Sequence, residues 1–243
     1  MGCGFTGTVE VGKRVTGFQA EDKAVSPFKT SCQECFYCRN GYTSRCTQKM
    51  LYLYGGQGEY VRIPSADGTL LKAPPEIQEE TIILIADIVS LQINFGYFAA
   101  SCGFSQLTLA QRENATVVLI GCSPVGRCAL IATASFKFAR IFAMDSIPCH
   151  REPANSHGAE PLNFMEDKRA VKVRILEATD ARGADVVLEV VGKNPALRTS
   201  FDIVRPWRLL ISVGVRNAKI PFNRNEAYNK NVPSFADARE RQE

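Results

Sequence analysis

Four cysteines stand close together near the start of the chain in the spacing Cys-x2-Cys-x2-Cys-x7-Cys, namely Cys32, Cys35, Cys38 and Cys46. Thiolates separated by two residues turn toward one ion, and four sulfur ligands complete the tetrahedral shell that Zn²⁺ prefers, leaving no position for a substrate. The surrounding loop has few apolar side chains, so a bound metal would hold it together. The spacing therefore predicts a structural zinc site.

Other interpretations of the cysteines stay open from the residues alone: chance thiols or disulfides of an exposed loop, or a zinc ribbon that grips nucleic acid. The stretch MGCGFTGTVEVG has neither a charged nor an apolar signal segment, which indicates a reducing compartment, the cytoplasm, where clustered cysteines more often bind metal. The formal charge of +4 is spread along the chain without basic clusters, which argues against a nucleic-acid partner.

The composition, with 45% hydrophobic and 22% charged residues, is that of a globular protein, and the length of 243 residues allows one or two domains. No apolar run is long enough to span a membrane. Before residue 113, β-branched residues alternate with small or polar ones between glycines, which predicts a compact β domain. After it, apolar strand-like runs alternate with helical stretches, which predicts a parallel sheet with right-handed crossovers.

The pattern also predicts individual elements. Short strands are expected within residues 5–15 and 24–28, a turn feeding a strand at 55–64, and helices at 77–88 and 95–104. In the second half, the expected strands lie in NATVVLIG, ARIFAMD, GADVVLEVVG and LLISVGV.

A glycine turn, GCSPVG, follows the first of these strands and opens a helix. It resembles the dinucleotide-binding pattern G-x-G-x-x-G, with Gly121 and Gly126 in place but Ser123 at the middle position, where glycine lets the backbone approach the pyrophosphate. Asp145 ends the next strand about twenty residues on, where a carboxylate binds the ribose hydroxyls and repels a 2′-phosphate. The sequence thus predicts NAD over NADP, with Val190 as a further contact; a similar domain with an empty crevice is the alternative.

Several other residues have simpler interpretations. Cys122 and Cys128 flank the glycine turn and are expected to pack as small apolar side chains. Glu189 ends a predicted strand and either lines the crevice or is a satisfied strand-end carboxylate. His150 and His157, the only two histidines, are expected to be surface side chains.

The chain resembles the zinc-dependent medium-chain alcohol dehydrogenase family over residues 2–231. The stretches that carry the resemblance are FTGTVEVG, VSPFKTSCQECFYCRNGYTSRC, GGQGEYVRIP, ADGTLLKAPPE, GADVVLEVVG and ISVGV. The resemblance implies a β-rich GroES-like domain at 1–105 with a zinc lobe at 30–46, then a Rossmann domain with a doubly wound parallel sheet at 106–230. Both domains are expected to be incomplete, and residues 231–243 to form a loose tail.

The resemblance also implies an activity, hydride transfer between an alcohol or carbonyl compound and NAD, with a second zinc that polarises the substrate oxygen. Asp87, in IADIV, matches the aspartate form of one catalytic zinc ligand, although it could instead be a helix-start carboxylate. Cys3 stands where the family has a histidine ligand. The implied partners are a small alcohol or aldehyde and further copies of the chain, with no nucleic acid and no membrane.

Departures from the family pattern keep a second hypothesis open. Pro153 interrupts an expected helix, Trp207 and Arg208 replace a two-glycine turn, and Ser123 replaces the middle glycine. These departures are also expected of a catalytically inactive remnant that keeps the structural zinc and some dinucleotide affinity.

Overall fold

A computed structural model of the chain describes residues 4–27, 29–48, 58–84, 86, 94–105, 107–165, 168–214, 219–232 and 235–237. The described residues divide into two compact units, one within residues 4–86 and the other within residues 94–237. Within the described ranges, no helix is both long enough and apolar enough to cross a bilayer. The domain boundary predicted at residue 105 stays a prediction.

The first unit contains a three-stranded antiparallel sheet in the order β1-β2-β3. Its strands are β1 (Gly4–Thr8), β2 (Lys23–Pro27) and β3 (Leu71–Lys72). Its helices are α1 (Phe36–Arg39), a 3₁₀ turn (Thr43–Arg45), α2 (Ala66–Thr69) and α3 (Glu79–Leu84). A small cluster of buried apolar residues, Val25, Ile82 and Ala86, packs between sheet and helix. The described residues 58–64 contain no strand, so that prediction is wrong there; the chain instead enters α2 through Ser65, which has left-handed backbone angles.

The second unit is built on a six-stranded parallel sheet in the order β6-β5-β4-β7-β8-β9. The strands are β4 (Thr116–Ile120), β5 (Arg140–Met144), β6 (Ala159–Leu162), β7 (Ala184–Glu189), β8 (Val204–Ser212) and β9 (Phe235–Asp237). The helices are α4 (Asn94–Ser105), α5 (Leu109–Arg112), α6 (Pro124–Ser135), α7 (Pro148–Arg151), a 3₁₀ helix (Glu152–His157), α8 (Lys168–Ala178), α9 (Asn194–Ile203) and α10 (Arg224–Lys230).

The strand order reverses at β4, because the chain first runs outward through β5 and β6 and then returns to place β7 on the other side of β4. In open parallel sheets, ligands bind outside the carboxyl ends of the strands at such a reversal point. Both faces of the sheet are covered, with Leu119 in one apolar cluster and Phe142 in the other. The predicted doubly wound sheet is therefore confirmed, and so is the β-rich unit before it.

Two strands differ from the predictions. The sequence pattern does not predict strand β6, because Pro161 and the polar residues around it interrupt a short apolar run. Strand β9 lies in the tail that was expected to be loose, since pairing with β8 satisfies backbone groups that sequence pattern does not report. Trp207 adopts a left-handed φ of 60° in an irregular stretch where the pairing of β7 with β8 shifts register.

Candidate metal centre and cofactor crevice

The four clustered cysteines meet in the first unit. Their Sγ atoms all lie within 4.8 Å of one another, and those of Cys32 and Cys38 are 3.9 Å apart. Ligands of a tetrahedral zinc with bonds of about 2.3 Å are separated by about 3.8 Å, so the donor set fits that ion. Among the cysteines in the described part of the chain, these thiols are free rather than disulfide-bonded.

The local fold that collects the sulfurs is short and turn-rich. Cys35 precedes helix α1, and its backbone N–H donates to the Sγ of Cys32 at 3.3 Å. The hydroxyl of Ser31 lies 3.4 Å from the Sγ of Cys38. Cys46 follows the 3₁₀ turn and is 1% exposed, while α1 buries none of its residues. The lobe thus has almost no apolar core apart from its thiols, as expected of a segment ordered by metal.

The four thiols differ in their environments. Hydrogen bonds from the backbone N–H groups of Cys38 and Thr47 lower the pKa of Cys35 to about 6. Burial raises the pKa of Cys46 to about 11. Zinc binds thiolates, so an ion would remove the proton that the buried Cys46 otherwise keeps.

The glycine turn lies at the carboxyl end of β4, beside the reversal point of the sheet. Gly121 has a φ of +98°, and its N–H donates to the carbonyl oxygen of Met144, extending the pairing with β5. A Cβ added to Gly126 would lie 1.9 Å from the carbonyl oxygen of Gly121, so α6 packs directly on the turn. The twelve-residue helix α6 therefore presents its N-terminus to this edge, where backbone N–H groups and the helix dipole favour an anion.

Ser123 stands at the N-cap of α6 with φ −58° and ψ 176°, angles that any residue adopts. The turn therefore does not need glycine here for its own backbone conformation. Its side chain makes no capping hydrogen bond to the helix. What the serine changes is the presence of a side chain at the position where glycine lets the backbone approach a pyrophosphate closely.

Asp145 follows β5 and points its carboxylate at the glycine turn. Its Oδ2 accepts from the N–H of Cys122 at 2.7 Å, and its Oδ1 from the N–H of Ile147 at 2.9 Å. Burial acts to raise its pKa, but these hydrogen bonds and one from His150 hold the pKa of Asp145 below its usual value. An ionised carboxylate has about four acceptor sites, so Oδ1 can still accept from a ribose hydroxyl.

The remaining residues that the sequence predicts for the site differ in their surroundings. Val190 is 8% exposed, and its N–H donates to the carbonyl oxygen of Ile120, so it packs under the turn. Cys122 is buried, and burial raises its pKa to about 12, so it packs as a neutral thiol. Asp87 and Cys3, the predicted catalytic and second-zinc ligands, lie outside the described residues.

Glu189 resolves to the second of its two interpretations, a satisfied carboxylate at the end of β7. It is 0% exposed, its Oε1 accepts from the N–H groups of Val191 and Gly192, and its Oε2 accepts from the hydroxyl of Ser212 at 2.5 Å. It therefore joins the segment that follows β7 to the last residue of β8.

The sequence does not indicate that three basic side chains gather around the segment that follows β5. His150, expected at the surface, lies with its Nδ1 3.2 Å from the Oδ2 of Asp145. Arg151 donates to the carbonyl oxygen of Asp145 at 2.7 Å, and Arg127 donates to that of Cys149 at 2.8 Å. The only sequence signal is that Pro148 starts a helical turn soon after Asp145, which brings the residues after it back toward the strand end.

Two family models match the chain: "Alcohol dehydrogenase GroES-like domain" over residues 1–75 and "Zinc-binding dehydrogenase" over residues 124–235. Zinc-type alcohol dehydrogenase B of Aspergillus flavus is 52% identical over 96% of this chain and 54% of its own length. The medium chain reductase/dehydrogenase ucsI of Acremonium sp is 40% identical over 94% of this chain and 78% of its own length. The chain therefore spans about half the length of the first of these relatives.

Among solved structures, alcohol dehydrogenase TADH from Thermus sp. ATN1 is similar with a TM-score of 0.75 and 31% identity. The match covers 98% of this chain and 68% of that one.

Proposed function

Because the chain belongs to the zinc-binding alcohol dehydrogenase family, we propose that it binds NAD at the carboxyl edge of its parallel sheet and serves hydride transfer between an alcohol and its carbonyl product. One observation carries the proposal: the glycine turn, the N-terminus of α6 and the Asp145 carboxylate converge at the reversal point of the sheet. The glycine turn and the helix N-terminus suit the anionic pyrophosphate of an adenosine diphosphate, and the Asp145 carboxylate suits the two hydroxyls of its ribose.

In this proposal, the N-terminus of α6 receives the pyrophosphate and Asp145 accepts from the adenosine ribose. A carboxylate held ionised by the N–H groups of Cys122 and Ile147 disfavours a second anion, which supports NAD over NADP. Val190 contributes by packing under Gly121 and so shaping the turn. When bound, NAD supplies the hydride acceptor; the chain's residues bind and orient it.

The cysteine cluster is proposed to hold a structural zinc through Cys32, Cys35, Cys38 and Cys46. Four protein ligands close the coordination shell, so this ion stabilises the lobe and takes no part in hydride transfer. A reducing compartment, the cytoplasm, belongs to the same proposal because it keeps the thiols available. We further propose a second, catalytic zinc at Asp87 and Cys3. The proposed substrate is a small alcohol or aldehyde, and the proposed assembly is a homo-oligomer.

The test combines elemental analysis with NAD titration by calorimetry on the purified full chain. The Asp145→Asn variant keeps the size of the side chain but removes its charge, and we expect it to bind NAD roughly ten- to a hundredfold more weakly, since a hydrogen bond to a charged group contributes about 1.5–3 kcal/mol. Asp180→Asn is the matched control, because the Asp180 side chain is 91% exposed. Equal NAD affinity in both variants would contradict the assignment of Asp145.

The second candidate is a protein that keeps the structural zinc without hydride transfer, and Ser123 favours it because dinucleotide-binding turns have glycine at this position to let the backbone approach the pyrophosphate. One zinc per chain with no NAD binding would support this candidate. Two zincs with NAD bound would support the dehydrogenase and justify a screen of alcohols.

A further inference from the structure

His150 shares a carboxylate with the glycine turn. Its Nδ1 lies 3.2 Å from the same Oδ2 of Asp145 that accepts the N–H of Cys122. The side chains of His150 and Asp145 are 28% and 12% exposed, so water and a ligand reach the imidazole while the carboxylate is mostly covered. A neutral His150 makes this contact only as the Nδ1–H tautomer, and a protonated one makes it as a charged donor.

The surroundings of His150 are mostly basic. Arg151, its neighbour on α7, donates to the carbonyl oxygen of Asp145, and Arg127 reaches across from α6 to the carbonyl oxygen of Cys149. Both guanidinium groups stay charged at all working pH values. The other titratable side chains of the adjoining segments are Cys122, Cys149, Glu152 and His157. Cys122 stays a neutral thiol, and Glu152 is exposed to solvent, which screens its charge.

We propose that His150 is a specificity-determining residue of the dinucleotide site: through its contact with Asp145, its charge sets how strongly the crevice rejects NADP relative to NAD. This inference rests on the proposed binding of a dinucleotide at Asp145. The group of the ligand that His150 would distinguish is the 2′-phosphate on the adenosine ribose, which NADP has and NAD lacks.

The direction of the effect follows from charge. With His150 neutral, the Asp145 carboxylate repels a 2′-phosphate and accepts from a free ribose hydroxyl. With His150 protonated, its positive charge offsets that carboxylate and adds to Arg127 and Arg151, so a 2′-phosphate is rejected less. The dissociation constant of NADP divided by that of NAD therefore falls when His150 gains a proton, a change that a lower pH favours.

The experiment measures both dissociation constants by calorimetry on the full chain at about pH 6 and about pH 8, at one ionic strength. In the unaltered chain we expect the NADP-to-NAD ratio to be roughly fivefold larger at the higher pH, the size expected for one charge acting across a partly exposed site. In His150→Gln we expect only the residual pH dependence that protonation of the 2′-phosphate itself contributes. In His150→Lys, which keeps a positive charge, we expect a low ratio at both pH values.

The controls separate His150 from other titrations. The 2′-phosphate itself gains a proton near pH 6, which weakens its attraction to basic groups, and the His150→Gln variant shows this contribution alone. His157→Gln changes the chain's other histidine and should retain the behaviour of the unaltered chain. An identical pH dependence in the unaltered chain and in His150→Gln overturns the inference while leaving the NAD site standing. Failure of both dinucleotides to bind at either pH overturns the site and the inference together.

Discussion

At the scale of single residues, the glycine turn combines two positions that require glycine with one that does not. Gly121 has a positive φ, and Gly126 leaves no room for a Cβ. Ser123 has backbone angles that any residue can adopt, so a serine at this position does not strain the turn. We expect the serine to affect the binding of a pyrophosphate rather than the stability of the fold. Such a residue is a place where affinity can change without a change in stability.

Replacing Ser123 with glycine tests this separation. We expect Ser123→Gly to bind NAD on the order of five- to tenfold more tightly, or about 1 kcal/mol, because the backbone can then approach the pyrophosphate. The free energy of unfolding should fall by only a few tenths of a kcal/mol, since glycine is a tolerated N-cap residue. Calorimetric titration and urea unfolding measure the two quantities. Ser135→Gly, at the opposite end of α6, is the control and should leave NAD affinity unchanged; a weaker or equal affinity in Ser123→Gly would count against the pyrophosphate position.

At the scale of elements, the crevice depends on close packing between α6 and the strand ends. Helix α6 touches the turn through Gly126, and Glu189 joins the segment after β7 to the end of β8 through Gly192 and Ser212. The buried carboxylate is satisfied by donors on both sides, so it holds these segments in one arrangement. The position of the turn relative to Asp145 is therefore set by the packing of Gly126 on the turn and by the hydrogen bond from the N–H of Cys122 to the Asp145 carboxylate.

A single added methyl group on α6 should disturb this arrangement. In Gly126→Ala, the new Cβ would meet the carbonyl oxygen of Gly121 at 1.9 Å, so the helix or the turn must shift. We expect the free energy of unfolding of the second unit to fall by about 3 kcal/mol and NAD affinity to fall with it. Urea unfolding followed by circular dichroism measures the loss. Gly7→Ala is the control, because its Cβ meets nothing within 4 Å; an equal loss in both variants would show that crowding at the turn is not the cause.

At the scale of the whole molecule, the two units have separate means of stabilisation. The second unit has two extensive apolar clusters on the faces of its sheet, whereas the described part of the first has only the small cluster around Val25 and Ile82, and a lobe that collects four thiols. Small segments with little core depend on metals or disulfides for order. We therefore expect metal and dinucleotide to act on different units.

Removal of zinc should loosen the lobe selectively. After treatment with a chelator, we expect faster amide hydrogen exchange in residues 30–46, while strands β4, β5 and β7 stay protected. Saturating NAD at about 100 times its dissociation constant should stabilise the second unit by about 2.7 kcal/mol with or without zinc. Hydrogen exchange read by mass spectrometry reports both units in one sample, and chelator already loaded with zinc is the control. Equal loosening of both units would argue against their separate stabilisation.

What the sequence determined by itself are the features coded by residues close together in the chain. The spacing from Cys32 to Cys46 predicts a metal cluster because few residues separate its ligands, and the turn from Gly121 to Gly126 predicts a strand-to-helix junction because glycine is required there for local reasons. The alternation of apolar strands and helices after residue 113 is enough to predict the parallel sheet, since a parallel connection needs a crossover.

Only the tertiary structure decided which distant groups share a site. Glu189 has two interpretations in the sequence, and the hydroxyl of Ser212, twenty-three residues away, selects one of them. His150 has no motif of its own; the turn after β5 folds it back onto Asp145 and makes it part of the crevice. Strand β9 exists because β8 offers it a partner. Contacts of this kind depend on chain path and on the need to satisfy buried polar groups, and neither is written in any short stretch of residues.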